Sequence, residues 1–179
     1  MEEKTIKSEL VYEGKIFNLR VDKVVLPNGR ETKREIIEHS GSVAILPLIS
    51  KDKFLFVQQF RKPIEKVLLE IPAGRIEKGE NLKECARREL IEETGYQAND
   101  FKKLASVYLA PGYSSEIIHI FLARNLKKSK SNLDDDEFIK TVILNKKEVL
   151  NKIIDNKIKD SKTIVSTLLF LYNEVLLNY

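Results

Sequence analysis

The sequence predicts an α/β (α+β) fold, in which a mixed β-sheet lies between helices and is preceded by an antiparallel β extension. The first observation is a continuous apolar run at residues 43–49, typical of a strand buried on both faces. The second is residues 82–94, which are rich in good helix formers. The third is a helical stripe of apolar residues between positions 164 and 176. Strands with a helix on each side indicate an α/β/α sandwich.

The N-terminal residues predict a separate small sheet. Residues 10–38 alternate apolar and polar side chains around Pro27-Asn28-Gly29-Arg30, which is a hairpin signal. Two or three strands in so short a piece cannot bury a core alone. We therefore expect residues 1–40 to form a β extension that packs on a main domain, residues 41–179, or on another subunit.

The main domain should begin with a hairpin, because residues 54–60 form a second apolar strand after a turn at Lys51-Asp52-Lys53. A short strand at 67–71 leads to the loop before the first helix. The later elements follow in order: strands at 104–109 and 117–123, a polar loop at 125–136, a strand at 138–144, a helix capped by Asn145, and a last helix capped by Ser161.

The first helix carries three carboxylates on one face. Asn81 and Glu84 predict a capping box at its start. Glu89, Glu92 and Glu93 lie at i, i+3 and i+4, where their like charges repel one another. A solvated acidic face with arginine partners is the simpler interpretation. The glycine-containing loop before the helix favours a metal site, because hard oxygen ligands suit Mg²⁺ or Mn²⁺.

Composition excludes several classes of protein. The chain has 179 residues and a net charge of +4, and its lysines are spread along the sequence, so no nucleic-acid surface is indicated. Cys85 is the single cysteine and His39 and His119 are the two histidines, so no zinc cluster can form. The charged start and the absence of a long apolar run predict a cytoplasmic protein without a membrane span.

Residues 74–96 resemble the Nudix box, G-x5-E-x7-R-E-U-x-E-E-x-G-U, where U is a bulky apolar residue. The residues that fill its defined positions are Gly74, Glu80, Arg88, Glu89, Leu90, Glu92, Glu93, Gly95 and Tyr96. The resemblance implies the Nudix sandwich fold and hydrolysis of a nucleoside diphosphate linked to another group.

The resemblance also implies roles for the box residues. Glu89 and Glu93 should bind metal together with the backbone carbonyl of Ala73, and Glu92 and Glu93 should take part in catalysis. The implied cofactor is Mg²⁺ or Mn²⁺, as two or three ions, which would activate a water molecule. Gly74, Glu80, Arg88 and Gly95 should support the geometry of the motif.

A proline sixteen residues after Gly95, Pro111, resembles the ADP-ribose pyrophosphatase subgroup. Other similarities are Gln59-Phe60-Arg61, the loop from Pro111 to Glu116, and three N-terminal segments, Gly14-Lys15-Ile16-Phe17, Leu26-Pro27-Asn28-Gly29 and Arg34-Glu35-Ile36. Members of this subgroup form a homodimer through their N-terminal strands and share residues between active sites.

By this resemblance Arg61 should contact phosphate or ribose. Pro111 should belong to the substrate-binding loop, and Glu116 should hold the terminal ribose or the water. Arg34 should reach the site of the neighbouring subunit, or else is a surface charge. Phe17 should stack on adenine, or else packs in the core. The water-activating carboxylate should lie in a late acidic run that includes Asp135 and Glu137. The subgroup more often has glutamate early in this run, so its aspartates depart from the pattern, and a solvated acidic loop is the alternative.

The favoured function is Mg²⁺-dependent hydrolysis of ADP-ribose to AMP and ribose 5-phosphate. Alternatives are a Nudix hydrolase for a dinucleotide, FAD, another sugar nucleotide or an oxidised nucleotide. A non-catalytic Nudix-like sensor is a further class, disfavoured because all three box carboxylates are present. The expected partners are a small nucleotide and a second copy of the chain.

Overall fold

The computed structural model describes residues 1–130 and 138–177. Its strands are β1 Lys4–Glu13, β2 Asn18–Val25, β3 Glu31–Glu38, β4 Ser42–Ser50, β5 Lys53–Arg61, β6 Lys66–Glu70, β7 Ala73–Arg75, β8 Tyr96–Tyr108, β9 Ile117–Lys128 and β10 Lys140–Asn145. Its helices are α1 Leu82–Thr94, α2 Lys146–Ile154 and α3 Ser161–Leu177, with a short 3₁₀ turn at Lys62–Ile64. These elements divide into two compact units.

The first unit contains Met1–Gly41 and Tyr108–Ile117. Strands β1, β2 and β3 form an antiparallel three-stranded sheet in that order. Gly29, at φ 82°, closes the predicted β2–β3 turn, where the Leu26 and Arg30 backbones are hydrogen-bonded. Sequence periodicity missed most of β1, because its Lys and Glu residues interrupt the apolar pattern and all ten of its residues are exposed.

The second unit contains Ser42–Val107 and Ile118–Tyr179. Its sheet has the order β10-β5-β4-β9-β8, with β6 paired to β5 and β7 to β4. The central pair, β4 and β9, is parallel, whereas β4 and β5 are antiparallel. The sheet is therefore mixed, and the predicted α/β (α+β) class is confirmed.

Strand β4 is buried on both faces because its alternate side chains enter different cores. Val43 and Ile45 pack with Leu90 of α1, whereas Ala44 and Leu46 lie in the cluster that contains residues of α2 and α3. This alternation explains why the strand appears in the sequence as an unbroken apolar run. Helix α1 therefore covers one face of the sheet, and α2 and α3 cover the other.

Three boundaries differ from the prediction. Residues 125–128 belong to β9 rather than to a loop, and Leu126 packs against the α1-side core. Strand β8 begins at Tyr96 because Ala98 and Phe101 are buried in that same core. Helix α3 is capped by Asp160 rather than by Ser161, since the Asp160 carboxylate accepts from the backbone N–H of Thr163 at 2.9 Å.

Candidate active site

Helix α1 holds the predicted acidic face in a rigid position. The Asn81 side chain accepts hydrogen bonds from the backbone N–H groups of Lys83 and Glu84 at 3.1 and 3.0 Å, which caps the first turn. Gly95 ends the helix in the left-handed conformation, at φ 67°, and its N–H donates to the Ile91 carbonyl. Both ends of the helix are therefore fixed by local contacts that the sequence predicts.

Glu89 and Glu93 are only 8% and 6% exposed, although both are carboxylates on a helix beside a loop. Gly74 of β7 makes this burial possible, because a Cβ atom there would overlap the Glu89 carboxyl group. The backbone N–H of Ala73 donates to the Glu93 carboxylate at 3.2 Å. The two carboxylates and the Ala73 backbone, which the sequence associates only through the motif, therefore lie together.

Arg88 connects the helix to the preceding loop. Its guanidinium pairs with both oxygens of Glu80 at 2.9 and 3.0 Å, and with Glu89 and Glu92 at 2.7 and 3.0 Å. The hydrogen bond from Arg88 is the main reason that the pKa of Glu80 falls to about 2. One cation is thus shared among three carboxylates. Arg87 instead lies over the Phe101 ring, 5.8 Å from its centroid.

Cys85 lies on the same helix and is fully buried. Burial, reinforced by a hydrogen bond to Glu80, raises the pKa of its thiol to about 12. Cys85 therefore packs in the core on the α1 side of the sheet.

The donor set fits a divalent metal ion. Buried carboxylate oxygens are the hard ligands that Mg²⁺ and Mn²⁺ prefer, and Mg²⁺ usually takes one or two carboxylates and completes its shell with water and substrate phosphate. No group of three or more His, Cys, Asp or Glu side chains converges as a ready-made cluster within residues 1–130 and 138–177. Among the described residues, Glu89 and Glu93 therefore provide two buried carboxylates that could hold such an ion, rather than an all-protein cage.

Arg61 ends β5 in the same unit. Its Nε and Nη2 atoms donate to the two carboxylate oxygens of Glu70, each at 2.8 Å. Its side chain is 38% exposed, and Glu93 is among the carboxylates that raise its pKa. The Arg61 guanidinium is therefore partly exposed, is held in one orientation by Glu70, and lies close enough to Glu93 to interact with its charge. The sequence identified Arg61 but not its partner Glu70, a buried glutamate in an apolar strand.

Four predicted substrate residues lie in the first unit. Phe17 is not a core residue, since it is 39% exposed and its ring lies 5.9 Å from that of Tyr12. Arg34 forms a two-bond ion pair with Glu3, at 2.9 and 2.6 Å. The remaining two residues, Pro111 and Glu116, belong to a loop that pairs with β3.

The loop from Ala110 to Glu116 is held by backbone hydrogen bonds. The N–H groups of Tyr113 and Ser114 both donate to the Ala110 carbonyl, at 3.1 and 2.9 Å. The Ile37 N–H donates to the Tyr113 carbonyl at 2.8 Å, and the Ser115 N–H donates to the Ile37 carbonyl at 2.9 Å. A Glu116 carboxylate oxygen lies 3.9 Å from His39 Nδ1, and nothing in the sequence pattern indicates this neighbour.

Asp135 and Glu137, the predicted loop carboxylates, lie outside the described residues. No helix among the described residues is both long enough and apolar enough to cross a bilayer.

Comparison with known proteins identifies the class of enzyme. The model of the NUDIX domain matches residues 38–164, and that of the nucleoside diphosphate sugar hydrolase N-terminal domain matches residues 3–37. The chain therefore belongs to the Nudix family and is a Nudix hydrolase. Its two matches together cover nearly the whole chain and confirm the resemblance drawn from the box.

Two relatives match over most of their length. The chain is 45% identical to the methanol dehydrogenase activator of Bacillus methanolicus, covering 92% of this chain and 90% of the relative. It is 44% identical to the ADP-ribose pyrophosphatase of Bacillus subtilis strain 168, covering 91% and 89%. A crystal structure of an ADP compounds hydrolase has the same fold, with a TM-score of 0.86, 23% identity, and coverage of 97% of this chain and 95% of that one.

Proposed function

We propose that this Nudix hydrolase cleaves the diphosphate bond of ADP-ribose, or of a related nucleoside diphosphate sugar, to give AMP and ribose 5-phosphate. The observation that carries the proposal is the buried pair Glu89 and Glu93 beside the Ala73 backbone. The 44% identity to an ADP-ribose pyrophosphatase supports the choice of substrate.

Glu89, Glu93 and the Ala73 carbonyl would hold the divalent metal, Mg²⁺ or Mn²⁺, as two or three ions. Such an ion, when bound, neutralises phosphate charge and lowers the pKa of a coordinated water. Burial of the two carboxylates strengthens their attraction for a cation, because the local dielectric constant is lower than that of water. Arg88 fixes Glu89 and Glu92 in place through its shared guanidinium.

Different residues would contact the phosphate, adenine and ribose groups of the substrate. Arg61 binds diphosphate or ribose oxygens, since its planar guanidinium suits paired oxygen acceptors. Phe17 stacks on adenine, Pro111 and Glu116 hold the terminal ribose, and Arg34 reaches the site of a partner subunit. The proton of the attacking water passes to a carboxylate among Glu92, Glu93, Asp135 and Glu137.

Residues 1–40 would serve as the dimerisation extension, and residues 41–179 as the hydrolase domain. The exposed apolar residues of β1 support this division, because Ile6, Leu10, Val11 and Tyr12 are 46–56% exposed in the single chain. Such a concentration of exposed apolar side chains on one strand is typical of an interface.

The test is turnover against a panel of nucleotides with Mg²⁺ and again with excess chelator. We expect the highest kcat/KM for ADP-ribose, with AMP and ribose 5-phosphate as products, and loss of activity in the chelator that returns on adding Mg²⁺. A preference for nucleoside triphosphates or diadenosine polyphosphates would overturn the substrate, and unchanged activity in chelator would overturn the metal requirement.

A second candidate is activation of a dehydrogenase, because the chain is 45% identical to a methanol dehydrogenase activator. Its identity to the ADP-ribose pyrophosphatase is almost the same, so identity alone does not separate the two. Methanol dehydrogenase turnover, measured with the wild type and with Glu93→Gln, tests this candidate. A stimulation that the wild type gives and the variant lacks would support it and would link it to the same hydrolytic site.

A further inference from the structure

A buried line of alternating charges lies behind Arg61 in the second unit. Arg61 pairs with Glu70 through two hydrogen bonds, each 2.8 Å long. Glu70 Oε2, one of the two oxygens that Arg61 contacts, also accepts a hydrogen bond from Lys162 Nζ. Lys162 donates in addition to Asp160 Oδ1 at 2.8 Å. The order is therefore arginine, glutamate, lysine, aspartate.

The centre of this line is closed to solvent. Glu70 is 1% exposed and Lys162 is 8% exposed, whereas the Arg61 side chain is 38% exposed. Burial alone would raise the pKa of Glu70, but the hydrogen bond from Arg61 and the charge of Lys162 outweigh it and lower that pKa. Glu70 is therefore ionised at neutral pH and is held by a cation on each side.

Asp160 ties this line to the start of α3. Its Oδ2 atom accepts from the backbone N–H and the hydroxyl of Thr163, at 2.9 and 2.5 Å. The Thr163 hydroxyl oxygen in turn accepts the backbone N–H of Ile71 at 2.8 Å. Two links, one through Lys162 and one through Thr163, therefore join the first turn of α3 to the end of β6.

We propose that Lys162 is a positioning residue for Arg61. Lys162 fixes one oxygen of Glu70, Glu70 fixes the plane of the Arg61 guanidinium, and Arg61 then presents its remaining terminal nitrogen, Nη1, in one direction. This inference rests on the proposed binding of substrate oxygens by Arg61. Lys162 itself is too deeply buried to touch substrate, so its effect must pass through Glu70 and Arg61.

The first test is Lys162→Met, which removes the charge and keeps a side chain of similar length. Loss of a charge-assisted hydrogen bond that fixes a binding group should raise KM about tenfold, with kcat within about threefold. Lys146→Met is the matched control. Lys146 is also a poorly exposed lysine that contacts α3, through Glu174 at 2.6 Å, but it lies outside this line of charges. We expect the control to keep the wild-type KM.

A coupling measurement separates positioning from general damage. In an Arg61→Ala background, Lys162→Met should cause no further loss of kcat/KM, because the group that it positions is absent. Lys162→Arg should keep KM within about threefold of the wild type, since the charge is retained. An equal loss with and without Arg61, or a KM unchanged by Lys162→Met, would overturn the proposal.

If Lys162→Met does not fold, Asp160→Asn tests the same proposal in its place. Asparagine still caps α3 but removes the charge that holds the second side of Lys162, so KM should rise about threefold while thermal stability is retained. An unchanged KM would overturn the proposal. The coupling ratios are measured on whichever nucleoside diphosphate compound the wild type cleaves. If the wild type does not cleave ADP-ribose, only the proposed substrate is overturned. If Lys162→Met lowers kcat/KM by the same factor with and without Arg61, only the proposed role of Lys162 is overturned.

Discussion

Strands β1 and β4 have almost the same length but opposite environments. All ten residues of β1 are exposed, whereas the first six residues of β4, Ser42 to Pro47, are buried. Strand β4 has apolar side chains on both faces, and each face meets its own cluster of core residues in the second unit. Strand β1 mixes lysine and glutamate with apolar residues that remain exposed in the single chain.

The contrast between these strands indicates that the two units are stabilised in different ways. The second unit has a core on each side of its sheet and also holds the buried carboxylates of α1, Glu89 and Glu93. Among the described residues of the first unit, Val24 is the one buried hydrophobic side chain, at 3% exposure. A sheet with so little core gains most from covering its apolar surface with a partner. We therefore expect chemistry to depend on the second unit and assembly on the first.

The largest expected effect is on the chemistry of the second unit. Glu93→Gln should lower kcat/KM about thousandfold, roughly 4 kcal/mol, because a neutral amide is a poor metal ligand. Glu84→Gln, the same change at an exposed position of α1, should have little effect. Steady-state kinetics with saturating Mg²⁺ measures both. Near-normal turnover by Glu93→Gln would remove Glu93 from the metal site.

The next effect concerns assembly through the first unit. Light scattering should give about twice the 20.7 kDa chain mass for the wild type. Leu10→Lys, which places a charge on β1, should reduce the mass to that of one chain, because burying an unpaired charge in an interface is costly. Ile154→Lys, at an exposed apolar position of α2, should leave the dimer intact. A fully active wild-type monomer would contradict both the dimer and the shared-site role of Arg34.

A smaller effect is expected from the loop in the first unit that pairs with β3. Glu116→Ala should lower kcat/KM for ADP-ribose about tenfold, as expected for loss of a hydrogen bond to the ribose. The melting temperature should change little, because the loop is held by backbone hydrogen bonds. Glu35→Ala, at an exposed position of β3, is the control. Unchanged kcat/KM in Glu116→Ala would restrict substrate recognition to other residues.

The smallest effect is a pH dependence of stability in the second unit. Hydrogen bonds from Arg88 lower the pKa of Glu80 from 4.5 to about 2. A lowered carboxylate pKa stabilises the folded state above the unfolded pKa, so this contribution is complete above about pH 4.5 and is lost as the pH falls towards 2. Glu80→Gln should therefore lower the melting temperature by about 2–4 °C at pH 6 and by less near pH 3. Glu77→Gln, a change at an exposed position of the same loop, is the control. If Glu80→Gln lowers the melting temperature equally at both pH values, the lowered pKa of Glu80 does not contribute to stability as proposed.

Local patterns predicted the parts of the molecule that depend on neighbouring residues. The cap at Asn81, the left-handed Gly95 and the acidic face of α1 follow from spacing along one helix. The helix cap at Asn145 and the Gly29 turn were predicted for the same reason, and the structure shows that Glu148 completes the Asn145 cap as a capping box. The boundaries of β8 and β9 were not predicted correctly. Polar residues interrupt the apolar pattern there, and only a few side chains, such as Phe101 and Leu126, reach the core.

The family, the mixed fold and the common face of the box carboxylates could all be predicted from the amino-acid sequence, because helix geometry places residues at a fixed spacing on one face. The contacts of Glu70 with both Arg61 and Lys162 could not be predicted, because Lys162 lies 92 positions after Glu70 and the two residues meet only in the folded chain. Nothing in the local pattern marks that pairing. It depends on the packing of α3 against the end of β6, where buried charges are tolerated only if an opposite charge lies within hydrogen-bonding distance.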